Sequence, residues 1–166
     1  MIHVYSTLSS NSSFREVKKF LKEHNVKFVE RKIYKDPTDF LVQDYLAILH
    51  GLAFTYADYE VTCARLLTER VDPAIVEILD NASPVEATVF LRENMHLMKA
   101  TFTVDFDRDV ALSGFRPDES TVFLSRKEKN AIYKEVRKKV AELDAKKTRE
   151  QLEEEETHVQ LHESEF

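Results

Sequence analysis

The alternation of apolar and polar residues over the first 33 positions predicts a strand, a helix and a second strand. Residues 2–5 (Ile-His-Val-Tyr) read as a short strand, and residues 6–13 form a polar run suited to a turn and a helix N-cap. Apolar residues then recur every three or four positions between Val17 and His24, and residues 26–33 predict the second strand. Two strands joined through a helix lie parallel, with a right-handed crossover.

The turn between the first strand and the helix offers hydroxyl groups and an amide, but no thiol. It faces the positive end of the helix dipole, where a cysteine would be stabilised as a thiolate. Ser10 and Ser13 are poor nucleophiles unless a base accepts the proton, and the sequence does not place His3 against either of them. We therefore interpret this segment as a structural turn.

The middle of the chain predicts an all-helical lobe, over about residues 38–94. Asp36-Pro37-Thr38 resembles a helix entry, and Gly51 is expected to end that helix. Further helices are expected at about residues 56–69, 73–79 and 84–93. The aromatic cluster Phe54, Tyr56 and Tyr59 is either a partner contact or core, and its helical spacing favours core packing.

A hairpin is predicted downstream of the lobe. Residues 101–106 alternate as a strand, residues 110–115 pair with them, and Asp107-Arg108-Asp109 forms a solvated turn rather than a calcium loop. With the two N-terminal strands, the hairpin completes a four-stranded mixed sheet.

Composition narrows the function classes. The chain has 166 residues, of which 43% are hydrophobic, enough for a substantial core. Its two glycines, Gly51 and Gly114, are too far apart to form a glycine-rich phosphate loop. No long apolar run predicts a membrane segment, so we expect a cytoplasmic protein without membrane contact.

Cys63 is the one cysteine, which excludes an intramolecular disulfide. Among apolar neighbours in a predicted helix it reads as a small core residue. The alternative is a reactive thiol whose pKa is lowered, which requires Arg65 or Arg70 to approach it in space.

The C-terminal part reverses its charge along its length. Residues 126–149 contain ten Lys or Arg and four acidic residues, whereas residues 150–166 contain seven acidic residues and no Lys or Arg. A basic helix can approach nucleic acid phosphates, but a solvated amphipathic helix explains the pattern equally well. The glutamates at 153–156 suggest a tail that either folds back on the lysines or discourages nucleic-acid contact.

His158 and His162 are four residues apart and would share one helical face. No third ligand has a suitable spacing, so we predict no metal site. Residues 150–166 are expected to form an acidic, disordered tail.

Two separated blocks of the sequence resemble Spx-type transcription regulators, relatives of the thioredoxin-fold arsenate reductases. The first block contains Met1–Ser6, the serine turn, Phe20–Val26 and Phe28–Ile33. The second contains Thr103-Val104-Asp105, Gly114-Phe115 and Val122–Lys127, where Ser125 replaces the proline of the family's "FLPR" segment. The similarity spans about residues 1–138.

The resemblance implies an α/β fold: a thioredoxin-like four-stranded mixed sheet with an inserted all-helical lobe and a C-terminal helix. It implies one domain over residues 1–149, with a thioredoxin-like part at about 1–37 and 95–149, the insertion at about 38–94, and the tail at 150–166.

The family's first turn commonly carries CxxC or a single cysteine. The matching positions here are Ser10 and Ser13, or Asn11 and Phe14 if the helix is aligned instead, and neither choice restores a thiol. The family's cis proline is replaced by Ala100 before Thr101, where we expect a trans peptide bond. These departures argue against arsenate reduction and redox sensing.

The resemblance implies a noncatalytic stress-response regulator, without a cofactor, that binds the C-terminal domain of the RNA polymerase alpha subunit. The family's contact region falls around His50, Thr55, Cys63 and Arg65, of which Thr55 and Cys63 replace a family glycine and arginine. The basic C-terminal helix would add at most weak or indirect DNA contact.

Two alternatives stay open. One is an enzyme, either a degenerate reductase or a serine-dependent thiol transferase using Ser10 or Ser13. The other is a diverged paralogue that kept the fold and binds a different regulator.

Overall fold

The structure divides the chain into two units. The computed structural model describes residues 1–57 and 60–164, with side chains described as far as residue 159. The first unit is Met1–Leu124 and the second is Ser125–Phe166. The first unit contains, in order, β1 (Ile2–Ser6), α1 (Ser12–Glu23), β2 (Phe28–Lys32), α2 (Val42–Thr55), α3 (Pro73–Asn81), α4 (Pro84–Glu93), β3 (Thr101–Asp105), β4 (Val110–Ser113) and α5 (Pro117–Ser120). The second consists of α6 (Arg126–Ser164), preceded by Ser125.

The sheet has the strand order β2-β1-β3-β4. Strand β1 pairs in parallel with β2, with Ile2 beside Phe28, and antiparallel with β3, with Ile2 beside Asp105. Strands β3 and β4 form an antiparallel hairpin. The predicted four-stranded mixed sheet is confirmed. In the described part of the chain, no helix combines the length and apolar character needed to cross a membrane.

Each face of the sheet has its own core because side chains alternate along a strand. Ile2 and Val4 pack with apolar residues of α1, and Tyr5 and Phe102 pack with α2 and the helical lobe. Gly51 lets α2 approach β4, since a Cβ at this position would lie 2.6 Å from the Cβ of Ala111. The expectation that Gly51 ends the helix is therefore wrong, and α2 continues to Thr55.

The helical lobe contains α3 and α4 as predicted, each opened by a proline after a capping Asp72 or Ser83. The predicted helix over 56–69 is wrong. Ala57 has a left-handed φ of 52°. Over residues 60–69 the structure contains a 3-10 turn at Cys63–Arg65 but no α-helix. The backbone of residues 66–68 instead pairs with residues 97–99, through Lys99 N to Leu66 O at 2.9 Å and Thr68 N to Leu97 O at 2.9 Å.

The second unit is one helix of 39 residues. Ser125 caps it: its Oγ accepts a hydrogen bond from the Glu128 N–H at 3.2 Å. Residues 150–164 continue the helix, so this part of the tail differs from the expected disorder. The expected domain boundary at residue 149 is not marked by any interruption of α6, and the compact first unit ends earlier, at Leu124.

Candidate functional site

The first candidate site is the turn between β1 and α1, which contains the candidate residue Ser10 and leads into Ser13. The structure places Asn11 at the N-cap of α1 and buries it. Its Oδ1 accepts hydrogen bonds from the Phe14 N–H at 3.1 Å and the Thr101 hydroxyl at 3.0 Å. Its Nδ2 donates to Ser6 Oγ at 3.0 Å and to the Ala100 carbonyl at 2.9 Å.

These four bonds use the full donor and acceptor capacity of the Asn11 amide. The Ala100 carbonyl also accepts from the Thr7 N–H at 3.0 Å, so the turn is tied to the segment entering β3. The peptide bond before Thr101 is trans, as predicted, since the described residues contain no cis peptide bond. The turn is closed by neutral hydrogen bonds and presents no thiolate.

Ser10 and Ser13 lie outside this network. Ser10 is exposed in the turn, and Ser13 is half-buried in the first turn of α1. His3 alternates with Ile2 and Val4 along β1 and so points to the sheet face away from α1. The Nδ1 of His3 already contacts Arg31, at 3.2 Å. The structure therefore does not bring these serines and His3 together as nucleophile and base.

A second cluster, which the sequence analysis missed, joins the sheet to the start of α2. The Asp44 carboxylate is 1% exposed and receives the Tyr5 hydroxyl at 2.7 Å and the Leu41 N–H at 2.8 Å. Two nitrogens of Arg31 donate to the same carboxylate, Nη2 at 2.9 Å and Nη1 at 3.2 Å. Burial, together with the hydrogen bond to Asp44, raises the pKa of Tyr5 far above its usual value, so the hydroxyl stays a donor.

Arg31 also contacts the residues around this pair. Its Nε donates to Asp39 Oδ2 at 3.2 Å, and its Nη2 donates to the Asp39 carbonyl at 2.6 Å. Because a guanidinium only donates, the Nδ1 of His3 must be the acceptor, which places the proton of the neutral ring on Nε2. Burial and the neighbouring Arg31 charge lower the pKa of His3. We call His3, Tyr5, Arg31, Asp39 and Asp44 the Arg31 cluster. Because the Arg31 guanidinium is bound by these partners, we interpret the cluster as a structural clamp that joins α2 to the sheet.

The expected partner-binding residues occupy different environments. His50 is exposed on α2 and lines an open depression of about 680 Å³. Thr55 is half-buried, and its Oγ1 accepts the Ala111 N–H at 3.4 Å. The Arg65 guanidinium lies over the Tyr56 ring, 4.6 Å from its centroid, close to the end of α2. His50 and Thr55 thus belong to the C-terminal part of α2, and Arg65 contacts the residue that follows the helix.

Cys63 departs from this set because it is buried, with 1% exposure, and its side chain is not available to a partner. Its Sγ lies 2.9 Å from the Tyr45 hydroxyl, and its N–H donates to Asp80 Oδ1 at 2.7 Å. Burial raises the pKa of the thiol to about 11. These features are those of a core cysteine rather than a reactive thiol.

Phe54 is the most exposed large hydrophobic residue among the described residues of the first unit, at 72%. It lines the same depression as His50, together with Leu46, Ala47, Arg108 and Asp109. The prediction that Phe54 is core is wrong; Tyr56 packs partly against both cores, and Tyr59 lies outside the described residues. We call Leu46, Ala47, His50 and Phe54 the α2 surface.

The structure offers no metal-binding group among its described residues: no three His, Cys, Asp or Glu side chains converge. His158 lies on α6, and the side chain of His162 lies outside the described residues.

Comparison with known proteins supports the fold and goes no further. No family model matches the chain, and no curated protein matches it. The solution structure of SACOL0876 from Staphylococcus aureus COL is similar, with a TM-score of 0.50 and 18% identity, over 73% of this chain and 96% of that one. The YffB protein matches with a TM-score of 0.40 and 13% identity, over 75% of this chain and all of that one.

The likeness to SACOL0876 is a likeness of fold. The chain is an α/β protein with a thioredoxin-like fold, which confirms the predicted fold class.

Proposed function

We propose that this protein is a noncatalytic, Spx-like regulator of transcription that acts in the cytoplasm by binding the C-terminal domain of the RNA polymerase alpha subunit. The observation that carries the proposal is the saturation of Asn11. A catalytic mechanism at the β1–α1 turn would need a free nucleophile, but the turn is closed by an amide whose four hydrogen-bonding positions are all engaged. A thioredoxin-like scaffold without a nucleophile in this turn is suited to acting through its surface.

The α2 surface is the part of the first unit that best fits a protein partner. A largely exposed phenylalanine beside an open depression provides the aromatic anchor typical of interface hot spots. His50, which the resemblance assigns to the contact region, lies in the same depression. Helix α2 is held rigid beneath this surface by its packing on β4 and by the Arg31 cluster.

The alternative of a serine-dependent enzyme finds less support. Ser10 is exposed, and His3 lies on the sheet face away from α1, where its Nδ1 accepts a hydrogen bond from Arg31. An enzyme of this kind would turn over a glutathione-linked disulfide and lose that activity on Ser10→Ala or Ser13→Ala. We expect no turnover with the wild-type chain.

The binding proposal is tested by calorimetry with the purified alpha C-terminal domain. We expect Phe54→Ala to weaken binding about 30-fold, the loss typical of a hot-spot aromatic. The matched control is Ile78→Ala, which truncates another exposed apolar residue, 65% exposed on α3, and should leave affinity unchanged. No association at about 50 μM would contradict the proposal. Equal losses of affinity in the two variants would show that the α2 surface is not the binding site.

A further inference from the structure

Helix α6 carries its basic and acidic side chains in separate halves. Residues 126–149 have a net charge of +6, from ten basic and four acidic residues, while residues 150–159 contain five glutamates and no Lys or Arg. Lys139 and Glu153 are 14 residues apart, about 21 Å along a helix axis. That distance exceeds the Debye length of about 8 Å at physiological salt, so opposite charges meet along the helix only where the two halves join, and the rest of each half keeps its charge.

The acidic half cannot turn back onto the basic half of the same chain. The last proline is Pro117 and the last glycine is Gly114, so α6 contains neither of the residues that normally break a helix. The structure shows α6 unbroken from Arg126 to Ser164. The fold-back suggested by the sequence is therefore wrong, and both charged halves stay accessible to another molecule.

One face of the basic half is apolar and exposed. Tyr133, Val136, Val140 and Leu143 follow one another at intervals of three, four and three residues, and each is 50–59% exposed. The same face continues into the acidic half through Lys147, Glu150 and Glu154, which have the matching spacing. The face thus changes from apolar with basic flanks to acidic along its length.

We propose that α6 pairs in antiparallel orientation with α6 of a second copy of this chain. With Leu143 beside Lys147 of the partner subunit, the heptad spacing sets Val140 beside Glu150 of the partner subunit and Val136 beside Glu154 of the partner subunit. Lys139, at the flank, then faces Glu153 of the partner subunit.

The pairing uses the two kinds of side chain together. The aliphatic stems of the lysine and the glutamates cover the apolar residues, while the carboxylates of the glutamates meet the basic flanks. Two-fold symmetry repeats every contact. A parallel pair would instead place like-charged halves side by side. This inference is independent of the polymerase proposal, because it concerns the second unit.

Sedimentation equilibrium of the full chain tests the pairing. We expect dimers at about 0.02 M salt that dissociate as salt rises to about 0.5 M, because screening weakens contacts between exposed charges. A chain that stays monomeric at about 0.5 mM and low salt would overturn the inference, since even weak pairs form at that concentration. Association that strengthens with salt would also overturn it, because it would be driven by apolar contact.

Charge-reversal variants test the orientation. Arg137→Glu with Lys139→Glu should raise the dissociation constant about tenfold, since the two Lys139–Glu153 contacts of each dimer turn repulsive and the basic flank also loses the charge of Arg137. The control, Lys134→Glu with Lys138→Glu, makes the same charge change on the opposite side of the helix and should have little effect. Mixing the first variant with a Glu153→Lys, Glu154→Lys chain should restore dimers at low salt.

Circular dichroism of each variant checks that α6 remains helical. Equal effects of the two lysine-side variants, or no restoration on mixing, would refute the antiparallel register. Loss of DNA binding in both lysine-side variants, with no dimer in the wild type, would assign the basic half to nucleic acid instead.

Discussion

Replacing Asp44 with asparagine should destabilise the first unit strongly, although the change is nearly isosteric. The Asp44 carboxylate is 1% exposed and holds Tyr5, the Leu41 N–H and two nitrogens of Arg31. Asparagine keeps one oxygen and removes the charge, so the Arg31 side chain, only 13% exposed, loses its buried counter-ion. Leaving one member of a buried pair uncompensated costs about 3 to 5 kcal/mol, and we expect about 3 kcal/mol here because the amide still accepts one bond.

The assay is urea denaturation followed by circular dichroism, with Asp39→Asn as the matched control. Asp39 also binds Arg31, at 3.2 Å, but its side chain is 54% exposed. Water screens that pair, so the control should cost no more than about 0.5 kcal/mol. A loss below about 1 kcal/mol for Asp44→Asn would refute the account of the Arg31 cluster as a clamp, because buried pairs cost several-fold more to break.

Three further changes test other parts of the structure. The folded protein lowers the pKa of His3 from its ordinary value of 6.5, so folding favours the neutral ring. The free energy of unfolding therefore falls as pH drops below about 6.5, because the unfolded chain takes up the proton more readily than the folded one. His3→Gln should flatten this decline between about pH 7 and pH 5. Asn11→Ala should cost about 2 kcal/mol in urea denaturation, because it removes a helix cap and leaves buried partners unpaired; an unchanged midpoint would show that water replaces the amide. Gly51→Ala should destabilise by about 1 to 3 kcal/mol despite the better helix propensity of alanine, because its Cβ would meet Ala111, and a more stable variant would contradict the close approach of α2 to β4.

The parts of the fold that the sequence predicts correctly are those set by local spacing. The strand–helix–strand unit, the β3–β4 hairpin and the two proline-opened helices each follow from periodicity and end signals within a few residues. The failed helix over 56–69 shows the limit. Its apolar residues have helical spacing, but the backbone of Leu66 and Thr68 pairs with a segment about thirty residues later, which no local pattern contains.

The Arg31 cluster was missed for a related reason. His3, Arg31 and Asp44 belong to three separate elements, and each looks like an ordinary polar residue in its own segment. The available signal was Asp44 itself: an acid in the first turn of an otherwise apolar helix has a capping role, and its second oxygen needs a partner. Exposure of Phe54 likewise depends on which face of α2 meets the sheet, and Gly51 fixes that face.

The hydrogen bonds of Asn11 limit which side chains this turn can accept. A cysteine at position 11 could cap α1 only weakly, and it would strand the Thr101 hydroxyl and reduce the partners of the Ala100 carbonyl and Ser6. Because the Phe14 N–H, the Thr101 hydroxyl, Ser6 and the Ala100 carbonyl all bind this amide, the turn resists the substitution that would give it a thiol.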